Sequence, residues 1–136
     1  MFADFNIEKF PIIKVKFSKH INEKEFNEFL SKWLILYQNE KKFTFIFDTR
    51  YMGFVNPKYI IKIASFIKEL KKLPIQYLEK SFIIMNNKTL EVLLKLVFSI
   101  TSPTNAVYLV KDEEHCEKIQ EDIKNNIKIT CTHFLP

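Results

Sequence analysis

Residues 43–48, Phe-Thr-Phe-Ile-Phe-Asp, form an uninterrupted run of β-favouring apolar residues closed by an acid. Such a run suits a strand covered on both faces, which is the situation of a central strand in a parallel sheet. Eight residues on, Asn56-Pro57 is an N-cap followed by proline at the first helical position. The helix it opens extends to about Lys72. Ile60, Ile63, Ala64, Ile67 and Leu70 face inward, with Lys58, Lys62, Lys68 and Lys72 near the other side. A buried strand leading into an amphipathic helix is the unit from which layered α/β folds are built.

The same unit recurs on either side. Upstream, residues 11–17 (PIIKVKF) alternate, with Ile13, Val15 and Phe17 on one face and Lys14 and Lys16 on the other. This predicts a strand with one wet face, suited to an antiparallel edge, and Phe2–Ile7 offers a short partner. Asn22 with Glu25 resembles a capping box. The helix that follows to residue 38 presents Phe26, Phe29, Leu30, Trp33, Leu34 and Tyr37 at helical spacing. Downstream, FIIM (82–85) and AVYLV (106–110) read as further buried strands. A helix from about Lys88 to Ser99 separates them, stopped by Ser102-Pro103. Asp112, Glu113 and Glu114 place acids at the positive end of a last helix, whose core face is Cys116, Ile119 and Ile123. Alternation from Ile127 to His133 suggests an edge strand. The expectation is one layered α/β domain over residues 1–136, with a mostly parallel sheet of about four to six strands and helices packed on it.

Composition narrows function by exclusion. The 136 residues contain a single glycine, Gly53, so no glycine-rich loop can bring backbone N–H groups onto a phosphate. The same scarcity rules out a nucleophile elbow. Net charge is +5, carried almost wholly by lysine, with Arg50 the sole arginine. Base readout favours the forked guanidinium; lysines suit diffuse attraction to an anionic membrane surface or an acidic partner, so no specific nucleic-acid role is expected. The fourteen phenylalanines fall at core positions. Cys116 and Cys131 read as reduced thiols of a cytoplasmic protein. The amino-terminal residues lack the apolar core of a signal peptide, and no apolar stretch is long enough to span a bilayer. His115, Cys116, Cys131 and His133 are metal-ligand types, but their spacing fits no zinc pattern and neighbouring helix residues diverge by about 100°. Asp48, at a strand's carboxyl end, stands where open α/β sheets place ligands. With no nucleophile–base signature, the chain reads as non-enzymatic and without a cofactor.

The most informative helix is KTLEVLLKLVFSI (88–100). Leu90, Val92, Leu93, Leu94, Leu96, Val97, Phe98 and Ile100 leave only a narrow polar stripe of Thr89, Glu91, Lys95 and Ser99. A helix lying on a sheet needs an apolar arc of little more than about 100°. The surplus calls for a neighbouring helix, a partner chain or a lipid. Leu93, Leu94, Val97 and Phe98 are therefore candidate ligand-binding residues, joined by Tyr59, Ile63 and Phe66 of the preceding helix. A closed apolar cavity of several hundred Å³ would favour a ligand; a filled core with an exposed patch would favour a partner or a homodimer. On the second reading, a charge at Val97 should abolish association while sparing the fold.

From residue 43 onward the chain resembles the CRAL-TRIO lipid-binding domains, which share the SpoIIAA-like core of STAS domains and bacterial anti-sigma-factor antagonists. FIFDTRYMGF (45–54) is similar to that family's strand ending in Asp and a turn. QYLEKSFIIMNN (76–87) is similar to its Tyr-Pro-Glu-Arg segment, and LLKLVFSITSPT (93–104) to its gating helix and following turn. The resemblance implies a SpoIIAA-like fold and a non-enzymatic module that binds a lipid or other hydrophobic ligand under a gate. It adds Glu79, at the Glu of Tyr-Pro-Glu-Arg, to the ligand-binding candidates. Leu78 stands in place of the family proline, and Val97 in place of the gate's basic residue. For the STAS relatives it implies instead a protein-interaction or regulatory module using helix 88–100 as its contact surface; Val55-Asn56-Pro57 replaces their phosphorylatable Asp-Ser-x-Gly.

Overall fold

A computed structural model describes residues 1–136. The elements are β1 (Ala3–Asn6), β2 (Ile12–Phe17), α1 (Glu23–Tyr37), β3 (Phe43–Asp48), α2 (Pro57–Lys71), β4 (Leu78–Ile84), α3 (Lys88–Ile100), β5 (Ala106–Val110), α4 (Glu113–Lys124) and β6 (His133–Phe134). Each helix starts on a side-chain cap. Asn22, Asn56, Asn87 and Asp112 accept the backbone N–H of Glu25, Lys58, Thr89 and His115 respectively. The Asn22 side-chain amide also donates to the Glu25 carboxylate at 2.9 Å, so the two side chains hold each other across the first turn in place of the reciprocal backbone bond of a capping box.

One six-stranded sheet runs in sequence order from β1 to β6. β2, β3, β4 and β5 are parallel; β1 and β6 are antiparallel edges. Right-handed crossovers between successive neighbours in this order put α1, α2 and α3 on the same face. Odd-numbered positions of β2 and β3 point there: Ile13, Val15, Phe43, Phe45 and Phe47 meet Phe26, Phe29 and Trp33 of α1. Full burial of each phenylalanine is worth about 1.5–3 kcal/mol, so this aromatic layer dominates the core. On the opposite face lies α4, whose Cys116 and Ile119 pack on Phe82, Ile84, Tyr108 and Val110.

That uneven covering explains where the fold departs from expectation. The 11–17 segment is not an edge: β2 lies second in the sheet, parallel to β3, and the antiparallel edge is β1. Its lysine face is wet because α4 sits over β4 and β5 rather than over β2. For the same reason Thr44 and Ile46 of β3 are half-buried while Phe43, Phe45 and Phe47 are fully covered. β4 starts at Leu78, earlier than its apolar run: Leu78 pairs with Phe43 and half-buried Lys80 with Thr44, while exposed Glu79 is left unpaired at the register shift between them. The expected edge strand over 127–133 shrinks to His133–Phe134. Asn126 takes a positive φ of 56° and turns the chain away. Ile127 and His133 are left exposed, while Ile129 and Cys131 tuck against the α4 cluster.

Candidate functional site

α3 packs chiefly on α2, with Leu94 and Phe98 reaching the core over the sheet. Of its eight apolar residues only Val97 is buried, at 2% exposure, locked against Ile60, Ala64 and Ile67 of α2. Phe98 reaches down to Phe134 of β6, with ring centroids 4.7 Å apart. Leu90, Leu93 and Leu94 are half-buried. Beneath them, between α3, α2, α1 and the sheet, is a cavity of about 150 Å³. Its wall is apolar and no charged side chain borders it.

Six of the residues singled out from the sequence border this space: Tyr59, Ile63, Leu93, Leu94, Val97 and Phe98. Phe66 stands behind the wall, edge-on to Trp33 at 5.0 Å. Glu79 lies apart, exposed near the start of β4. Pattern reading missed the contribution of α1 and of the sheet itself: Phe29, Trp33, Phe47, Ile83 and Val107 form the floor. These residues carried a core signal only, and a cavity wall and a core wall have the same periodicity. The loop after β3 also lines the space, through Met52 and Val55.

Four neutral polar residues also border the cavity, and they bond locally. Asn105 Nδ2 donates to Ser81 Oγ at 3.1 Å and to the Ala106 carbonyl at 3.0 Å. Thr104 Oγ1 lies 2.7 Å from Asn105 Oδ1, and Thr49 Oγ1 donates to the Ile84 carbonyl at 2.7 Å. Trp33 differs. It is 7% exposed, and its Nε1–H is buried without an acceptor.

The outward side of α3 is bare. Val92, Leu96 and Ile100, at i, i+4 and i+8, are 62%, 49% and 45% exposed. This is the ridge open to a partner, and it excludes Val97, whose side chain points the other way into α2. A charge at Val97 would therefore disrupt the α2–α3 contact rather than probe an outer surface.

The remaining candidates are structurally occupied. Asp48 is 2% exposed and gripped by Arg50, which also reaches Glu113 of α4. That hydrogen-bonded guanidinium holds the Asp48 carboxyl below its ordinary range against the opposing pull of burial. His115 and Cys131 border a wider, polar depression of about 550 Å³ at the carboxyl ends of β4 and β5. His115 Nδ1 accepts the Lys111 N–H at 3.0 Å. Cys116 points into the α4 core, where burial pushes its thiol up to about 11. His133 is exposed on β6, and no three His, Cys, Asp or Glu side chains converge on a point. No helix is long and apolar enough to cross a membrane.

No protein-family model, no curated protein and no solved structure matches the chain.

Proposed function

We propose that this chain is a non-enzymatic binding module for a small hydrophobic ligand, with α3 as the cover over the site. The carrying observation is the apolar, charge-free cavity of about 150 Å³ beneath Leu93, Leu94 and Phe98. An apolar space of about this volume can take up a benzene-sized molecule, and this one is partly open to the surface, which gives a ligand a way in. It is well below the several hundred Å³ of a pocket for a drug-sized ligand, so the site fits a ring or the end of an acyl chain rather than a whole phospholipid. The CRAL-TRIO resemblance, in which α3 corresponds to the gate, supports the same reading. So does the attachment of α3, which rests on Val97 and Phe98 while the rest of its apolar surface stays partly free. The lysine-rich exterior supplies attraction to anionic headgroups, at about 1 kcal/mol for each charge near the surface. Lys88 and Lys95 of α3 are both exposed.

The test is titration with methylenecyclohexane, a seven-carbon hydrocarbon, followed through the single tryptophan, Trp33, which borders the site. Saturable binding is expected, together with a small apolar molecule in organic extracts of the protein purified from cells. Absence of any saturable change rejects the proposal.

A second reading has its own observation. The exposed Val92–Leu96–Ile100 ridge is an apolar stripe without a cover, as a protein-interaction module in the manner of STAS domains would present. Concentration-dependent association in sedimentation, lost on Leu96→Glu, is expected of a homodimer; a wild type monomeric at all concentrations rejects self-association.

A further inference from the structure

We infer that the loop after β3 docks the protein on an anionic lipid surface, with Phe54 as the side chain that enters the bilayer. The loop takes its purpose from the binding-module reading, in which a hydrophobic ligand is exchanged with lipid. Its evidence is its own exposure, anchoring and charge.

Phe54 is 81% exposed, the barest large apolar side chain of the chain. Most of the other phenylalanines pack in the aromatic layer, so a ring left in water here is one that a lipid phase would cover at a gain. Tyr51, three residues earlier, is 59% exposed, with Lys16 Nζ 5.0 Å from the centre of its ring. The loop is anchored where it carries these rings. Gly53 N–H donates to the Lys19 carbonyl at 3.3 Å, and a Cβ at position 53 would stand 3.0 Å from that oxygen. The sole glycine therefore lets the loops after β2 and β3 touch. Met52 and Val55, on either side, border the apolar cavity, as does Ile21 of the loop after β2. One short loop thus contributes both to the wall of the ligand space and to the exposed surface.

Charge selects the partner. No acid occurs between Asp48 and Glu69, and none between Glu8 and Glu23. Asp48 is buried against Arg50, and Glu23 is paired with Lys62. Lys16, Lys19 and Lys58 form no ion pair. Exposed aromatics flanked by unpaired lysines match a bilayer face, where apolar rings enter below the anionic headgroups and ammonium groups stay level with them. A protein partner needs roughly 800 Å² of matched surface on each side. A fluid bilayer accepts one or two side chains without shape complementarity.

The probes are vesicles of equal parts phosphatidylcholine and phosphatidylserine, and vesicles of phosphatidylcholine alone, read by co-sedimentation of the full chain. Binding to the mixed vesicles is expected, falling with added salt and weak on the neutral ones. Phe54→Ser should weaken it about tenfold, the loss of one inserted ring. Phe54→Trp should retain it, and the added fluorescence should shift to the blue on binding, since Trp33 is already buried. A wild type that stays in solution with both vesicles overturns the inference and leaves Phe54 to a protein partner. Equal binding of wild type and Phe54→Ser, with no blue shift, overturns it as well, as adsorption by charge alone. Neither outcome bears on the cavity. Phe54 does not border it, so Phe54→Ser should take up methylenecyclohexane as the wild type does. A wild type that takes up no hydrocarbon would sink the binding-module reading, and Phe54-dependent vesicle binding would then stand by itself.

Discussion

Arg50 grips Asp48 with two prongs: Nε donates to Oδ1 at 3.0 Å and Nη2 to Oδ2 at 2.9 Å, and the Arg50 backbone N–H adds a third bond at 3.2 Å. The carboxylate ends β3 and the guanidinium reaches across to Glu113 at the start of α4. Two ion pairs sharing one guanidinium therefore tie the lone helix of the second face to the central strand.

The Asp48–Arg50 pair sets an acid limit on stability. The Asp48 carboxyl is depressed in the fold, chiefly by its hydrogen bonds from Arg50. Its contribution is complete above the unfolded value of about 3.9 and is lost as pH falls through the lower, folded one. Arg50→Ala removes the largest cause of that depression: the buried carboxylate loses its counter-charge and takes up a proton more readily, so acid costs the variant less than it costs the wild type. The variant should lose about 3 kcal/mol at pH 7 and distinctly less near pH 3.5. Urea unfolding at the two pH values measures this. Equal losses at both would show that the pair contributes nothing through charge.

α3 should respond in opposite ways at two adjacent positions. Val97→Glu places a carboxylate among Ile60, Ala64 and Ile67 and should cost about 3 kcal/mol or more, or release the helix altogether. Leu96→Glu lies on the open ridge and should change stability by no more than about 0.5 kcal/mol. Thermal unfolding separates the two. Similar losses would mean that the ridge is covered in the native protein, which would make a homodimer through α3 the state being melted.

The chain order of strands and helices was legible because each element carries a periodicity and a cap: FTFIF with its aromatic face, Asn56-Pro57 opening α2, Asp112 opening α4. What escaped was the allocation of helices to faces. Nothing in residues 11–17 says whether Lys14 and Lys16 are wet because the strand is an edge or because no helix lies over that half of the sheet. The candidate site was half legible for a related reason. α3 advertised its surplus of apolar circumference, yet the sequence pattern did not tell Val97, fixed on α2, from Leu96, bare to solvent. Trp33 looked like any other core aromatic, since an unpaired indole N–H leaves no mark on periodicity.

The two thiols should differ in reactivity. Burial raises both, Cys116 to about 11, and Cys116 is the more deeply enclosed. Because the thiolate is the nucleophile, iodoacetamide at pH 8 should modify Cys131 first and Cys116 only on the timescale of unfolding. Peptide mass spectrometry of timed samples measures the order. Early labelling of Cys116 would show that α4 opens readily from the sheet, contrary to its packing on Phe82 and Val110.

If the void under α3 is a binding site, filling it should exchange binding for stability. Leu94 borders the space from above and is half-buried, so a larger ring there can enter without forcing the sheet. Leu94→Phe should raise stability by about 0.5–2 kcal/mol, the usual return from cavity filling, and abolish uptake of methylenecyclohexane. Phe29→Ala acts the other way: it enlarges the same space from α1, should cost about 3–5 kcal/mol, and should recover part of that loss when the hydrocarbon is added. Calorimetric melting with and without ligand reads both variants. A Leu94→Phe protein that is destabilised and still binds would place the hydrocarbon elsewhere, since a packed wall offers no room for both.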